Sequence, residues 1–575
     1  MNRKRLISVA AGYEKADLVL KNVNLINVIS GEIYITDVAV AEGYVAGIVP
    51  GYEGIEEIDC KGMYLSPGFV DGHVHLESSM VSVGEFAKAV LPRGTTTVIV
   101  DPHEIANVAG EEGINYILES SENLPLNVYM MMPSCVPATF LETSGACINS
   151  EIMKKYSSNP KIIGLGEFMN YPGVINGDEE VLKKMSLFSE KIIDGHAPMV
   201  TDKQLCAYRA AGVTSEHECT TVNEALEKLR MGMYIMLREG SATKNLRDLL
   251  PLLNRYNDRF CFFSTDDRHP DDLINEGHID NMVKILVSEQ GNITRAVRLA
   301  SKNACEYFGL KELGAVAPGY RADMLLIEDF SKMKINKVFK DGKIVAENGK
   351  ALFETHTLKN SKIFDSVNIS NIDSEKFEIK IQNHNKSYKM NVIEVIPSQI
   401  ITKKIQVKPK FSSGKIISDV DNDIVKFAVV ERHNNTGNIG LGFVKGFGLK
   451  KGAIATTVSH DSHNMNIIGV EDSDMALCAN RLKEIGGGLV VAQNGKITGE
   501  LPLPLAGLMT DSSLESVSQK IQFLHNLCYN LGVVIKDPFI TMAFLALPVI
   551  PELKLTDKGL VDVQKFEIIE LLEEF

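Results

Sequence analysis

Two histidines one residue apart, His73 and His75, stand in the string Gly68-Phe-Val-Asp-Gly-His-Val-His-Leu-Glu77. Side chains on a β-strand alternate with period two, so both imidazoles project to one side and can share a cation. Further donors close apolar runs along the chain: Glu167 after Ile162-Ile-Gly-Leu-Gly166, His196 after Ile192-Ile-Asp-Gly195, His217 after Val213-Thr-Ser-Glu216, and Asp266 after Phe260-Cys-Phe-Phe-Ser-Thr265. Four imidazoles and two carboxylates without a thiolate form a nitrogen–oxygen donor set suited to Mn, Fe or Zn. The chemistry of such a set is hydrolysis, because bound divalent ions acidify water and polarise an electrophile.

These donors need a scaffold that gathers strand ends. From about 66 to 308, strand-like and helix-like segments alternate. Eight strands are expected to end at His73, Asp101, Pro133, Glu167, His196, His217, Arg238 and Asp266. Helical patterns lie between them at Val83–Leu91, Glu179–Glu190, Val222–Met231 and Lys244–Tyr256. Eight βα units in this length predict a (β/α)₈ TIM-like barrel, whose chemistry sits at the strand C-termini. Short alternating runs at 17–62 recur at Ala322–Glu328 and Lys337–Val345, which predicts a small composite β-sandwich from residues 1–65 and 309–358 around the barrel at 66–308. Residues 360–425, rich in Lys, Asn and Ser, read as a linker into a separate C-terminal α+β domain, 359–575. That domain is expected to hold strands at Lys426–Val430 and Leu489–Ala492 and helices at Ser473–Ile485, Ser513–Leu531 and Val563–Leu572.

An H-x-H on strand one, His on strands five and six and Asp on strand eight resemble the amidohydrolase superfamily, and Gly319-Tyr-Arg-Ala-Asp323 is similar to its composite β-sandwich. Many members carry a carboxylated lysine on strand four; here Glu167 supplies the carboxylate. That substitution, with Asp101-Pro-His-Glu104, Thr265-Asp-Asp-Arg268 and Ser459-His-Asp-Ser-His-Asn464, resembles the adenine deaminase branch over essentially the whole chain. The resemblance implies a purine-salvage enzyme that converts adenine to hypoxanthine and ammonia with a metal-activated hydroxide. It also implies a binuclear Mn²⁺ or Fe²⁺ centre rather than Zn²⁺. His73, His75 and Glu167 would hold one ion and Glu167, His196 and His217 the other. Asp266 would ligate the first ion and relay the proton of the attacking water. Asp266 is chosen over Asp267 because it directly follows the strand and Thr265.

His103 and Glu104 lie just beyond strand two. The resemblance makes them purine-positioning or proton-handling groups; the alternative is a helix start with Glu104 in its first turn. Asp101 binds substrate or orients a neighbouring imidazole. His460, Asp461 and His463 have ligand-like spacing. Gly486-Gly487-Gly488 reads as a tight turn before a strand, since no G-K-[ST] follows, and Met130, Met131 and Met132 read as core.

A formal charge of −14 over 575 residues argues against a nucleic-acid partner. Nine scattered cysteines without a C-x-x-C pair exclude zinc-finger and thioredoxin-like motifs and fit a reducing cytoplasm. The apolar stretch 6–12 is too short for a signal peptide, and no uncharged apolar run reaches the roughly 18–20 residues that span a bilayer. The expected partner is a small purine base, with homo-oligomerisation expected and neither nucleic acid nor membrane. Two alternatives stand beside this reading: a binuclear amidohydrolase acting on a cyclic amide or N-acyl group, and a barrel whose metals are only structural.

Overall fold

Parallel strands dominate the middle of the chain. The computed structural model describes residues 2–574 apart from 356–357, 359–360, 382–386 and 398. The expected domain boundary at 358/359 and part of the expected linker therefore lie outside the described residues. Eight central strands are β1 (Phe69–His75), β2 (Thr95–Val100), β3 (Asn127–Met132), β4 (Ile162–Phe168), β5 (Ile192–Gly195), β6 (Ser215–Glu216), β7 (Tyr234–Arg238) and β8 (Cys261–Ser264). β5-β4-β3-β2-β1 run parallel in one sheet and β6-β7-β8 in another. The two meet twice. Just past β8, Asp266 and Asp267 pair in parallel with Val74 and His75, and Thr214 N–H donates to Ile193 O at 3.0 Å. The result is a curled parallel sheet with the expected metal ligands at its strand ends.

Alternation sorts the side chains of this sheet. Met131 joins Val70, Ile99, Met236 and Phe262 against Tyr307, Phe308 and Leu313 in one buried cluster. Met130 and Met132 face the opposite way, into the core shared with the surrounding helices. The methionine triplet is core, as its place on a strand predicts. In β1 the register against β2 shifts between Asp71 and Val74.

Strands from both flanks enter one nine-stranded sheet. Ala16–Asn27 pairs with Glu32–Ala41, and Tyr64–Pro67 pairs antiparallel with Met324–Asp329 from beyond the eight central strands. A second nine-stranded sheet is built from the C-terminal third, including Tyr388–Val395, Ile424–Val430 and Gly488–Gln493, with helices Asp472–Glu484 and Leu514–Asn530. The triple glycine forms the expected turn before Gly488–Gln493, with Gly486 and Gly487 at φ 75° and 102°. This part is not set apart from the rest. One hydrophobic core runs through both, and across the junction Thr510 N–H donates to Met80 O at 3.0 Å while Ser82 N–H donates to Thr510 O at 2.9 Å.

Two expected helices are corrected. Over Val563–Leu572 the chain forms strands Glu567–Ile569 and Leu572–Glu574, the latter paired with Tyr388–Met390. Phe566 takes φ 55°, which breaks helical continuation, and pairing to a distant strand overrides local periodicity. Over Lys244–Tyr256 only Leu246–Leu249 is α-helical, followed by a 3₁₀ turn at Leu250–Leu252. Pro251 removes a backbone donor and its ring opposes the preceding turn. Among the described residues no helix is long and apolar enough to cross a membrane.

The turn after His196 rests on a buried ion pair. Lys228 Nζ lies 3.2 Å from Glu216 Oε2, both side chains fully buried. Lys228 donates to Ala197 O at 2.9 Å while Glu216 accepts from Ala197 N–H at 2.9 Å. Lys228→Met is expected to destabilise the protein by about 3–5 kcal/mol, because it strands a buried carboxylate. Adding Glu216→Gln, which removes the stranded charge while keeping an acceptor for Ala197 N–H, should recover part of the loss. Urea unfolding of the single and double variants checks this, and an unchanged midpoint in the single variant would contradict it.

Candidate metal centre

The Glu167 carboxylate lies at the middle of the strand ends. One oxygen, Oε1, is 3.2 Å from His75 Nε2, 3.7 Å from His73 Nε2 and 3.4 Å from His103 Nδ1. The other, Oε2, is 2.6 Å from His196 Nδ1 and 3.3 Å from His217 Nε2. Asp266 Oδ1 closes the first half, 3.0 Å from His75 Nε2 and 3.7 Å from His73 Nε2. All six expected ligands therefore converge. Only His196 among them is more than a tenth exposed.

His75, Glu167 and Asp266 are each aimed by the backbone and a second contact. His75 presents Nε2 because its Nδ1–H donates to Asp101 O at 2.9 Å, the outer contact that ligating imidazoles commonly make. Asp101 also accepts from Glu167 N–H at 2.9 Å through Oδ2. This approach needs Gly166, where a Cβ would lie 2.1 Å from that oxygen. Asp71 accepts from Thr265 N–H at 3.1 Å and faces His278 Nε2 at 3.0 Å, while Thr95 Oγ1 contacts His278 Nδ1 at 2.8 Å. This buried chain ties β1 to the residue before Asp266. Asp266 itself takes φ 58°, a left-handed conformation uncommon outside glycine, and its Oδ2 accepts from Arg238 Nη1 at 2.8 Å. Arg238 is fully buried and also grips Glu218.

Burial disfavours every charge here, yet the surroundings fix a definite pattern. His196, His217 and His75 hold the Glu167 carboxyl well below the usual range. Arg238, His73 and His75 do the same for Asp266. In return, burial of His196 is outweighed by Glu218 and Glu167, and its pKa is pushed up to about 9. His103 rises to about 10, burial being outweighed chiefly by Asp101.

The donor set fits divalent cations on three observations. His73 Nε2 and His75 Nε2 stand 3.2 Å apart, close to the spacing of two imidazoles on one ion with bonds of about 2.1 Å. His217 Nε2 is buried without a hydrogen-bond partner among the described residues. The groups His73–His75–Asp266 and His73–Glu167–His217 each bring their ligand atoms within 4.8 Å of one another. Glu218 joins His196 and His217 in a further such group.

The remaining expected residues are distributed differently. His103 is brought into the centre, its Nε2 facing Asp461 Oδ1 at 3.9 Å. Glu104 is in the first helical turn, as the capping alternative has it, but its carboxylate meets His460 Nδ1 at 2.8 Å rather than the ligands. Asp267 lies outside the ligand groups and accepts from Ser78 Oγ. Asp71, Glu218, Arg238 and His278 were not singled out by the sequence. Arg238 carried one usable signal, a cation closing an apolar strand beside strands that close on acids.

Protons and cations compete for the same lone pairs. With His196 holding its proton up to about 9, apparent metal affinity should rise with pH from about 6 toward 9 and fall away in acid. Calorimetric titration of stripped protein with Mn²⁺ at stepped pH measures this, together with proton release; a flat profile would contradict it.

Residues 64–345 match the amidohydrolase family and residues 399–567 the adenine deaminase C-terminal domain. Adenine deaminase 2 from Carboxydothermus hydrogenoformans is 53% identical over 567 residues, covering 98% of this chain and 99% of its own. The adenine deaminase from Kosmotoga olearia is 45% identical over 578 residues, 99% of each chain. That from Clostridium acetobutylicum is 46% identical over 568 residues, 98% of this chain and 99% of its own. With an amidohydrolase segment carrying the buried histidine–carboxylate centre and near-complete coverage by these relatives, the chain belongs to the adenine deaminase family.

Proposed function

We propose that this chain hydrolyses the exocyclic C6–N bond of adenine to give hypoxanthine and ammonia, in purine salvage. The observation that carries this reading is the convergence of His73, His75, Glu167, His196, His217 and Asp266 in a chain 53% identical, end to end, to a protein named adenine deaminase. The curled sheet is read as a (β/α)₈ barrel over 66–308, inserted in a composite β-sandwich of 1–65 and 309–358, with 359–575 as the C-terminal α+β domain. Mn²⁺ or Fe²⁺ is the proposed metal, on the family resemblance; affinity order alone would favour Zn²⁺ over manganese, so availability decides between them. The free cysteines are compatible with a cytoplasmic enzyme, and a homo-oligomer acting on a free purine base is the proposed working form.

His73, His75, Glu167, His196, His217 and Asp266 would hold two ions, with Glu167 offering one oxygen to each half of the site. When bound, divalent ions there supply Lewis acidity and bring the pKa of water near neutrality. The protein's own groups handle the protons. Asp266 has one oxygen committed to Arg238 and the other turned to the histidines. It is placed to take a proton from the attacking water and pass it to the purine ring or the departing ammonia. Arg238 fixes that carboxylate and biases it toward release. Asp101 orients His75 and Glu167, and His103, between Glu167 and Asp461, is the group best placed to contact the purine beside the reacting carbon. Glu104 acts one step removed, through its C-terminal partner His460.

Protein loaded with Mn²⁺ is expected to release ammonia from adenine and to leave dihydroorotate closed. Ring opening of dihydroorotate with no action on adenine would favour the cyclic-amide reading, and full metal occupancy with neither activity a structural role. Glu167→Gln should lower metal content and kcat/KM together, by more than the roughly 10–100-fold that loss of an outer contact costs. Elemental analysis beside the ammonia assay measures both.

A further inference from the structure

Beyond His103, the wall of the site comes from the other end of the chain. The segment Ser459-His-Asp-Ser-His-Asn464 is buried throughout. It is held from several sides: His433 Nε2 bonds Ser462 O at 2.7 Å, Asn464 Nδ2 donates to Thr143 O at 2.8 Å, and buried Arg432 donates to His463 O. His463 takes φ 54°, a strained conformation of the kind that persists where surrounding structure enforces it.

The grouping Glu104–His460–His463 has the spacing of a cation site, but the hydrogen bonds decide otherwise. Ser459 N–H donates to His463 Nδ1 at 3.0 Å. A neutral imidazole carries one proton, and burial holds His463 neutral, so its N–H is at Nε2. A protonated nitrogen has no lone pair for a metal. That N–H is buried with no partner among the described residues; Glu104 Oε2 stands 3.8 Å away, beyond hydrogen-bond reach. Two residues earlier, Asp461 Oδ2 is equally buried and unpartnered, while Oδ1 faces His103 Nε2 at 3.9 Å. A donor and an acceptor thus stand unsatisfied two residues apart in one buried loop, with the His103 ring between Asp461 and Glu167. Leaving both unmade is costly, and an adenine edge, with ring-nitrogen acceptors and one ring N–H, complements them.

We infer that loop 459–464 is the purine-reading wall: His463 donates Nε2–H to a ring nitrogen, and Asp461 accepts the ring N–H that a free base carries and a nucleoside lacks. The inference rests on the adenine reading above and deepens it by assigning base recognition to the C-terminal part of the chain.

Metal-loaded full-length protein tests it by steady-state kinetics with adenine, calorimetry with hypoxanthine and elemental analysis. His463→Ala should raise the adenine KM and the hypoxanthine Kd by about tenfold or more, the cost of one unmade buried hydrogen bond, with a smaller change in kcat and no loss of metal. His463→Gln, which keeps an N–H near the Nε2 position, should recover most of the binding. Asp461→Asn should weaken adenine and narrow the gap between adenine and 9-methyladenine as competing ligands. Unchanged KM and Kd in a His463→Ala protein that melts like the parent would overturn the inference, as would loss of an ion from it. A parent protein that neither deaminates adenine nor binds hypoxanthine would instead defeat the functional reading itself.

Discussion

A buried carboxylate surrounded by imidazoles is the constraint on which the rest of the molecule depends. Glu167 is 4% exposed, and an ionised carboxylate at that depth is tolerated only when compensated. No single partner compensates it. His73, His75 and His103 face one oxygen and His196 and His217 the other. The five imidazoles arrive from four different places in the sequence, so the charge cannot be satisfied until β1, the loop after β2, β5 and β6 are all in position. The same crowding repels a cluster of protonated imidazoles from within, and divalent ions remove that conflict while keeping the carboxylate paired.

The scaffold solves a matching problem around this charge. Asp266 must offer an oxygen to β1 without collapsing onto it, and three features restrain it: Arg238 holds the far oxygen, the Asp71–His278–Thr95 chain fixes Thr265, and the left-handed backbone turns the carboxylate inward. Gly166 serves the opposite side, since only a missing side chain lets Asp101 reach the Glu167 amide. Functional geometry at a few tenths of an ångström thus rests on residues that never meet a substrate.

The six expected ligands were legible because they stand at or beside the ends of apolar strands, where period-two alternation and the polarity of strand ends say which way a side chain points. The flanking β-runs and the Met130–Met132 core were legible for the same reason. The outer contacts were not. Asp71 and His278 are about two hundred residues apart, and neither stands in a pattern that distinguishes it from any buried polar residue. The helix expected over Val563–Leu572 failed because its periodicity is local while its partner, Tyr388–Met390, is far away in sequence. Glu104 shows a third limit: its place in a first helical turn was readable, but its pairing with His460 depends on how two distant parts of the chain dock.

That docking also bears on which substrates the site can take. Glu77, Glu104, Glu142 and Asp461 are all buried at or behind the wall formed by the C-terminal segment. Burial drives Glu142 toward its neutral form, and His460 offsets Glu104. The Arg238 guanidinium at the strand ends is already shared between Glu218 and Asp266. A substrate bearing its own carboxylate, as dihydroorotate does, would bring a further negative charge against Glu77 and Glu104 and lose its hydration on entering. A neutral base that offers both donors and acceptors loses far less on entering. The electrostatics of the wall, independent of any likeness to other chains, thus favour a purine over an acidic cyclic amide.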